Sequence, residues 1–253
     1  MLRVEELSKS FAAPGGELKA LDRVSLELEV GQCVGVVGES GAGKSTLARC
    51  ILGVERPSGG RVLFEGHEVA ALDRRERRCL WQRAQIIWQE PGLVLNPHQK
   101  VGRIVAEPLS NLTSLSRRER RVRVGELLEQ VELEPALATR FPHQLSGGQA
   151  QRVCIARALA PGPRLLICDE PVSALDLPLQ LKVMELLDSL RRELGLGLLL
   201  ITHDLGIARR YCARVSIMLK GQVVEQGPAA ELLNHPRHAY ARQLLAATLR
   251  LPW

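Results

Sequence analysis

Two stretches of this chain carry side chains suited to holding and cleaving a phosphate anhydride. In Gly38-Glu39-Ser40-Gly41-Ala42-Gly43-Lys44-Ser45-Thr46, glycines recur where a backbone must curl so that successive N–H groups converge on phosphate oxygens. Lys44 would bring a cation to the β- and γ-phosphates, and Ser45 a hydroxyl to a Mg²⁺ ion, with Thr46 close behind. The second stretch, Leu165-Leu166-Ile167-Cys168-Asp169-Glu170, delivers two carboxylates at the end of a short apolar run set between Pro163 and Pro171. Mg²⁺ prefers hard oxygen ligands and keeps several waters, which suits Asp169; Glu170 is the residue to orient and deprotonate an attacking water. Adjacent side chains on a strand face opposite ways, so both can act only if the strand ends there, as Pro171 suggests.

These residues need particular elements around them. The apolar run Cys33–Val37 reads as a strand, and a helix from Lys44 to Leu52, stopped by Gly53, completes the strand–loop–helix context. Leu165–Cys168 suits a strand buried on both faces, and ligands of open parallel sheets collect at the edge where such strands end. A third feature, Leu145-Ser146-Gly147-Gly148-Gln149, precedes the helical pattern Val153, Ala156, Leu159, so Ser146 is expected as an N-cap and the helix start as a second anion-facing end.

With Leu145–Gln149 in view, the sequence resembles the ABC transporter ATPases, whose signature is LSGGQ, from about Leu2 to about Leu245. The resemblance implies ATP and Mg²⁺ as cofactors, and implies that Ser146, Gly147, Gly148 and Gln149 of one subunit close over ATP held by the phosphate loop of a second ABC subunit. It carries over to Gln89 as the loop glutamine that senses Mg²⁺ and water and faces the membrane partner. It likewise makes His203 the histidine on the γ-phosphate, Asp176 the carboxylate of the loop coupling two sites across a dimer, and Phe11 the ring stacked on adenine. The implied partners are transmembrane permease subunits, a second ABC ATPase and, indirectly, a solute-binding protein. The implied location is the cytoplasmic side of the inner membrane, as a peripheral subunit.

Composition is consistent with this. The chain has 253 residues, 45% of them apolar, which is enough for a large α/β core. The longest apolar stretch, around Leu198–Ile201, is of strand length and far short of the eighteen or so residues of a membrane helix. Met1-Leu2-Arg3-Val4-Glu5-Glu6 lacks the apolar core of a secretory signal. The six cysteines, at 33, 50, 79, 154, 168 and 212, include no Cys-x-x-Cys pair and are expected as buried free thiols. A net charge of +6 invites a nucleic-acid reading. The densest arginine runs, however, Arg74–Arg78 and Arg117–Arg121, are mixed with glutamate, and only eight aromatic residues (three Phe, three Trp, two Tyr) are available for stacking, so solvated helix faces are expected and no nucleic-acid partner. In the second block Ser116 and Glu119 form a capping box ahead of a buried stripe of Val124, Leu127, Leu128 and Val131.

The expected fold class is α/β: a P-loop NTPase with a RecA-like parallel sheet flanked by helices, a small antiparallel β subdomain and an inserted helical subdomain. One nucleotide-binding domain spans 1–253: an α/β core at 1–90 and 161–230, a helical signature part at 91–160, and a tail at 231–253. Further strands are expected over Gln85–Trp88, Leu198–Thr202 and Val215–Leu219, and helices over Ser116–Val131 and Leu179–Leu194.

A finer resemblance concerns substrate. Trp88-Gln89-Glu90-Pro91 with Leu95-Asn96-Pro97, and the tail His235-Pro236-Arg237-His238-Ala239-Tyr240, resemble the peptide and nickel importer branch. Ala239 departs from the usual proline, and no cysteine follows Cys212, where peptide members often carry a cluster. The tail is thus a partial match, and the missing cluster together with the stretch from Asn96 to Leu115 points to an ATPase driving uptake of nickel or another metal chelate. A di- or oligopeptide importer is the alternative, and an accessory ATPase of a carbon–phosphorus lyase complex the alternative from another class.

Overall fold

The computed structural model describes residues 1–13 and 16–248; Pro14 and Gly15, next to the expected adenine-stacking Phe11, and tail residues 249–253 lie outside them. In chain order the elements are β1 (Leu2–Ala13), β2 (Gly16–Leu28), β3 (Cys33–Val37), α1 (Lys44–Ile51), β4 (Gly59–Phe64), β5 (His67–Glu68), α2 (Arg74–Arg83), β6 (Ala84–Ile87), α3 (Pro91–Val94), α4 (Val101–Leu112), α5 (Arg117–Gln130), α6 (Gly147–Leu159), β7 (Leu165–Asp169), α7 (Leu177–Leu194), β8 (Gly197–Thr202), α8 (Leu205–Tyr211), β9 (Arg214–Leu219), β10 (Gln222–Pro228), α9 (Ala229–Asn234) and α10 (Ala239–Thr248). Short 3₁₀ turns follow β5 and α5 and precede α6. The contacts divide the chain into two compact units, Met1–Arg77 with Gly197–Trp253, and Arg78–Leu196.

The first unit holds an antiparallel sheet in the order β2-β1-β4-β5 and the strands β10-β9-β3-β8. β3 runs parallel to both β8 and β9, while β10 pairs antiparallel with β9. β3 and β8 are buried along their whole length, as expected of parallel strands covered on both faces. Gly35 shows how tight that cover is: a Cβ there would lie 3.0 Å from the Cys212 sulfur.

In the second unit β6 and β7 pair in parallel, and α4, α5 and α6 pack on one another. The Ser116 hydroxyl accepts from the Glu119 N–H while the Glu119 carboxylate accepts from the Ser116 N–H, the expected capping box, and Val124, Leu127, Leu128 and Val131 are buried. The sequence reading has no separate helix over Val101–Leu112. Pro108 lies inside it, and the Ser110 hydroxyl donates to the Ala106 and Glu107 carbonyls within the same turns. α7 begins at Leu177, two residues before the expected start, because Asp176 acts as its N-cap and Pro178 is tolerated in a first turn.

The arginine blocks of α2 and α5 are mostly exposed. Five of the six cysteines are buried free thiols; Cys79 is not, and corrects the expectation. α2 buries Leu80 alone, so its neighbour Cys79 turns outward with the arginines. Burial pushes the Cys50 thiol up to about 11 and Cys154 to about 12, so both stay protonated. Among the described residues no helix is long and apolar enough to cross a membrane.

Candidate functional site

In the first unit the phosphate loop leaves the sheet directly after β3, and its glycines are held in place by their walls. A Cβ on Gly38 would collide with the Met218 carbonyl oxygen, and one on Gly43 with the Ala20 carbonyl oxygen. Gly43 has φ +101°, a value side chains rarely adopt, and ends the loop as the residue before α1. The Gly221 N–H, in the turn between β9 and β10, donates to the Ala42 carbonyl at 3.0 Å and braces the loop from behind. The mouth is open: Glu39, Ser40 and Gly41 are exposed, and a Cβ on Gly41 meets nothing within 4 Å.

Lys44 is only 6% exposed, although it is a lysine. Its ammonium donates to the Gly38 carbonyl at 2.7 Å and the Glu39 carbonyl at 2.9 Å, so a full positive charge sits within the loop at the start of α1. Ser45 and Thr46, half-buried, follow in the first turn. An anion entering the mouth therefore meets a cation, a helix N-terminus and two hydroxyls, a donor set that fits a triphosphate and the hard Mg²⁺ ion accompanying it.

His203 belongs to the same edge. Val37 and Thr202 are register partners in β3 and β8, so the phosphate loop and His203 leave adjacent parallel strands at one end, with the histidine exposed. Asp204 caps α8 behind it, accepting from the Ile207 N–H at 3.0 Å. Phe11, half-buried near the end of β1, has the Lys9 ammonium 4.7 Å above its ring.

The second unit repeats this arrangement with different residues. Ile87 and Cys168 are register partners in β6 and β7, so Gln89 and the pair Asp169–Glu170 emerge together from one end of that parallel pair. β7 ends at Asp169, which is buried, and Glu170 takes a left-handed conformation at φ +50°. That turn breaks the strict alternation of a strand, the condition under which two successive carboxylates can serve one site, and a non-glycine residue held there is strained.

Ser146 caps α6 as expected, its hydroxyl accepting from the Gln149 N–H while the Gln149 side chain accepts from the Ser146 N–H. Ser146 and Gly147 are exposed, Gln149 half-buried and Gly148 buried. A Cβ on Gly148 would come within 2.7 Å of Leu179, and one on Gly147 within 3.5 Å of Leu175, so the start of α6 rests against the start of α7. Asp176, which caps α7 by accepting from the Leu179 N–H at 3.1 Å, is brought beside the signature by that packing.

The profile of the ABC transporter family matches residues 21–173. The chain belongs to the ABC transporter family. It is 45% identical to the oligopeptide transport ATP-binding protein OppF of Escherichia coli K12, over 94% of this chain and 71% of that protein. It is 42% identical to the dipeptide transport ATP-binding protein DppF of the same organism, over 97% and 73%. Among solved structures, the dimeric post-hydrolysis state of the ATP-binding cassette MJ0796, bound to ADP and Pi, superposes with a TM-score of 0.82 at 33% identity, over 90% of this chain and 99% of that one. The P-loop NTPase fold and the ATP-hydrolysing activity of an ABC cassette follow for this chain.

Three groups that shape this ABC cassette's phosphate loop have no role assigned by the sequence motifs. The Ala20 and Met218 carbonyls wall Gly43 and Gly38, and the Tyr240 hydroxyl accepts from the Glu39 N–H at 3.2 Å. The first two carry no sequence signal, being backbone oxygens. Tyr240 belongs to the quoted tail motif, but its target 201 positions earlier has no local mark.

Proposed function

We propose that this chain is the ATP-hydrolysing subunit of an importer of di- or oligopeptides. The observation that carries the reading is the identity of 42–45% over more than nine-tenths of the chain to cassettes named for oligopeptide and dipeptide transport. The nickel preference, drawn from the missing cysteine cluster after Cys212 and the stretch Asn96–Leu115, finds no support among these relatives and gives way to the peptide alternative.

In this reading Gly38–Thr46 holds the phosphates of ATP, with Lys44 on the β- and γ-phosphates and Phe11 against adenine. Glu170 orients and deprotonates the attacking water, and His203 hydrogen-bonds the γ-phosphate. Ser45 supplies a hydroxyl to Mg²⁺, while Asp169 and Gln89 supply their oxygens. Mg²⁺ takes hard oxygen ligands and is usually held by one or two carboxylates together with substrate phosphates, which suits this set. When bound, Mg²⁺ neutralises charge on the phosphates. Ser146, Gly147, Gly148, Gln149 and Asp176 serve the site of a partner cassette. That partner, permease subunits and a solute-binding protein complete the importer, in which this chain is a peripheral subunit on the cytoplasmic face of the membrane.

Reconstitution of the cassette with its permease in liposomes tests the substrate: ATP-dependent accumulation of labelled di- or oligopeptide is expected, and no accumulation of radioactive nickel. Nickel uptake without peptide uptake would refute the peptide assignment.

A further inference from the structure

The tail motif reaches the nucleotide loop. Its start is tied to β10, where the Glu225 carboxylate accepts from the Arg237 N–H at 2.9 Å and from the His238 N–H at 2.9 Å. His238 Nδ1 then accepts from the Tyr240 N–H at 3.2 Å in the first turn of α10. These contacts seat Tyr240 in a buried position, with its hydroxyl oxygen on the Glu39 N–H.

The peptide unit that joins Gly38 to Glu39 is therefore gripped on both sides. No peptide bond among the described residues is cis, so in this trans unit the Gly38 carbonyl and the Glu39 N–H point in opposite directions. The carbonyl accepts from Lys44, and the N–H donates to Tyr240. Rotation of this peptide plane would break both bonds together and turn away the carbonyl that poises the Lys44 ammonium. Glycine's own torsional preferences do not select the orientation of this plane, and the two hydrogen bonds add to the Met218 wall in fixing it. Burial pushes the Tyr240 phenol above its ordinary range, and it stays a neutral acceptor at physiological pH.

We propose that Tyr240 is a positioning residue for nucleotide binding, and that the tail segment from His235 to Tyr240 is a working part of the phosphate site through its grip on the Gly38–Glu39 peptide. This rests on the assignment of Gly38–Thr46 as the ATP-binding loop. It gives the tail a function in the cassette's own chemistry.

Tyr240→Phe keeps the ring and its packing and removes only the acceptor. Loss of one neutral hydrogen bond corresponds to about a two- to tenfold weakening, expected in the Kd for Mg·ADP by titration calorimetry and in the KM for ATP, with kcat at saturating ATP unchanged. In the nucleotide-free protein, amide exchange in a peptide covering residues 38–43 should quicken. Glu225→Ala, which releases the tail from β10, should move both quantities the same way. A purely packing role predicts wild-type values for Tyr240→Phe. Unchanged affinity together with unchanged exchange in that variant, or a fall in kcat at unchanged Kd, would overturn the proposal. Lys44→Ala is the control: retained affinity there would count against the loop assignment itself, whereas lost affinity there beside a wild-type Tyr240→Phe refutes only the role of Tyr240.

Discussion

Gly43→Ala and Gly41→Ala, compared as a pair, separate the two physical demands made on the phosphate loop. Both glycines have positive φ, +101° and +81°, so each alanine carries backbone strain of about 1–3 kcal/mol. Only at Gly43 does the new Cβ also strike a neighbour. That neighbour is the Ala20 carbonyl, which belongs to the β2 backbone and cannot rotate away as a side chain would. Overpacking of this kind adds about 1–3 kcal/mol, so Gly43→Ala should cost roughly 2–6 kcal/mol and Gly41→Ala only the strain. For a chain of this size each kcal/mol lowers Tm by about 2–4 °C. Thermal unfolding of the nucleotide-free protein, followed by circular dichroism, should then show a fall of about 4–24 °C for Gly43→Ala and a distinctly smaller one for Gly41→Ala. If the Gly43 variant instead relieves the collision by shifting the loop, the loop's N–H groups and the Lys44 ammonium no longer converge, and ATP affinity should fall about tenfold or more. Melting temperatures within about 2 °C of each other, with equal ATP affinity, would refute the claim that the Ala20 carbonyl walls the loop.

Glu170→Gln should retain ATP binding and lose about 10²–10⁴-fold in turnover, and wild-type turnover would remove Glu170 from its role as base. Ser146→Arg puts bulk and charge at the exposed start of α6 and should block hydrolysis while leaving ATP binding by the isolated subunit nearly intact. Mixing it with Lys44→Ala should restore part of the activity, because one of two composite sites then keeps both halves; joint loss of binding and hydrolysis in Ser146→Arg would contradict action across a dimer. One thiol, Cys79, should react rapidly with a disulfide reagent in the native protein and all six in denaturant, and Cys79→Ser should abolish the fast phase.

The sequence alone determined the features whose physics is local. The strand–loop–helix around Lys44, the caps at Ser116 and Ser146, the stop at Gly53 and the wholly apolar strand Leu165–Cys168 depend on residues within one or two turns, and the structure has them within two residues of the expected bounds. The family, too, was legible, because its motifs bind a phosphate chain whose geometry dictates residue type and spacing. Substrate was not: the residues that the sequence makes conspicuous have the chemistry of phosphate and Mg²⁺ binding, which carries no information about a transported solute.

Only the tertiary structure decided which strand ends come together. Parallel pairing joins residues far apart in the chain, so the registers of Val37 with Thr202 and Ile87 with Cys168 are set by packing on both faces and have no local signature. The left-handed turn at Glu170 is of the same kind, a conformation its own side chain disfavours and the surroundings must impose. So is the reach of Tyr240 to Glu39: a hydrogen bond between two polar groups can be written into any pair of positions, and only a folded chain selects one.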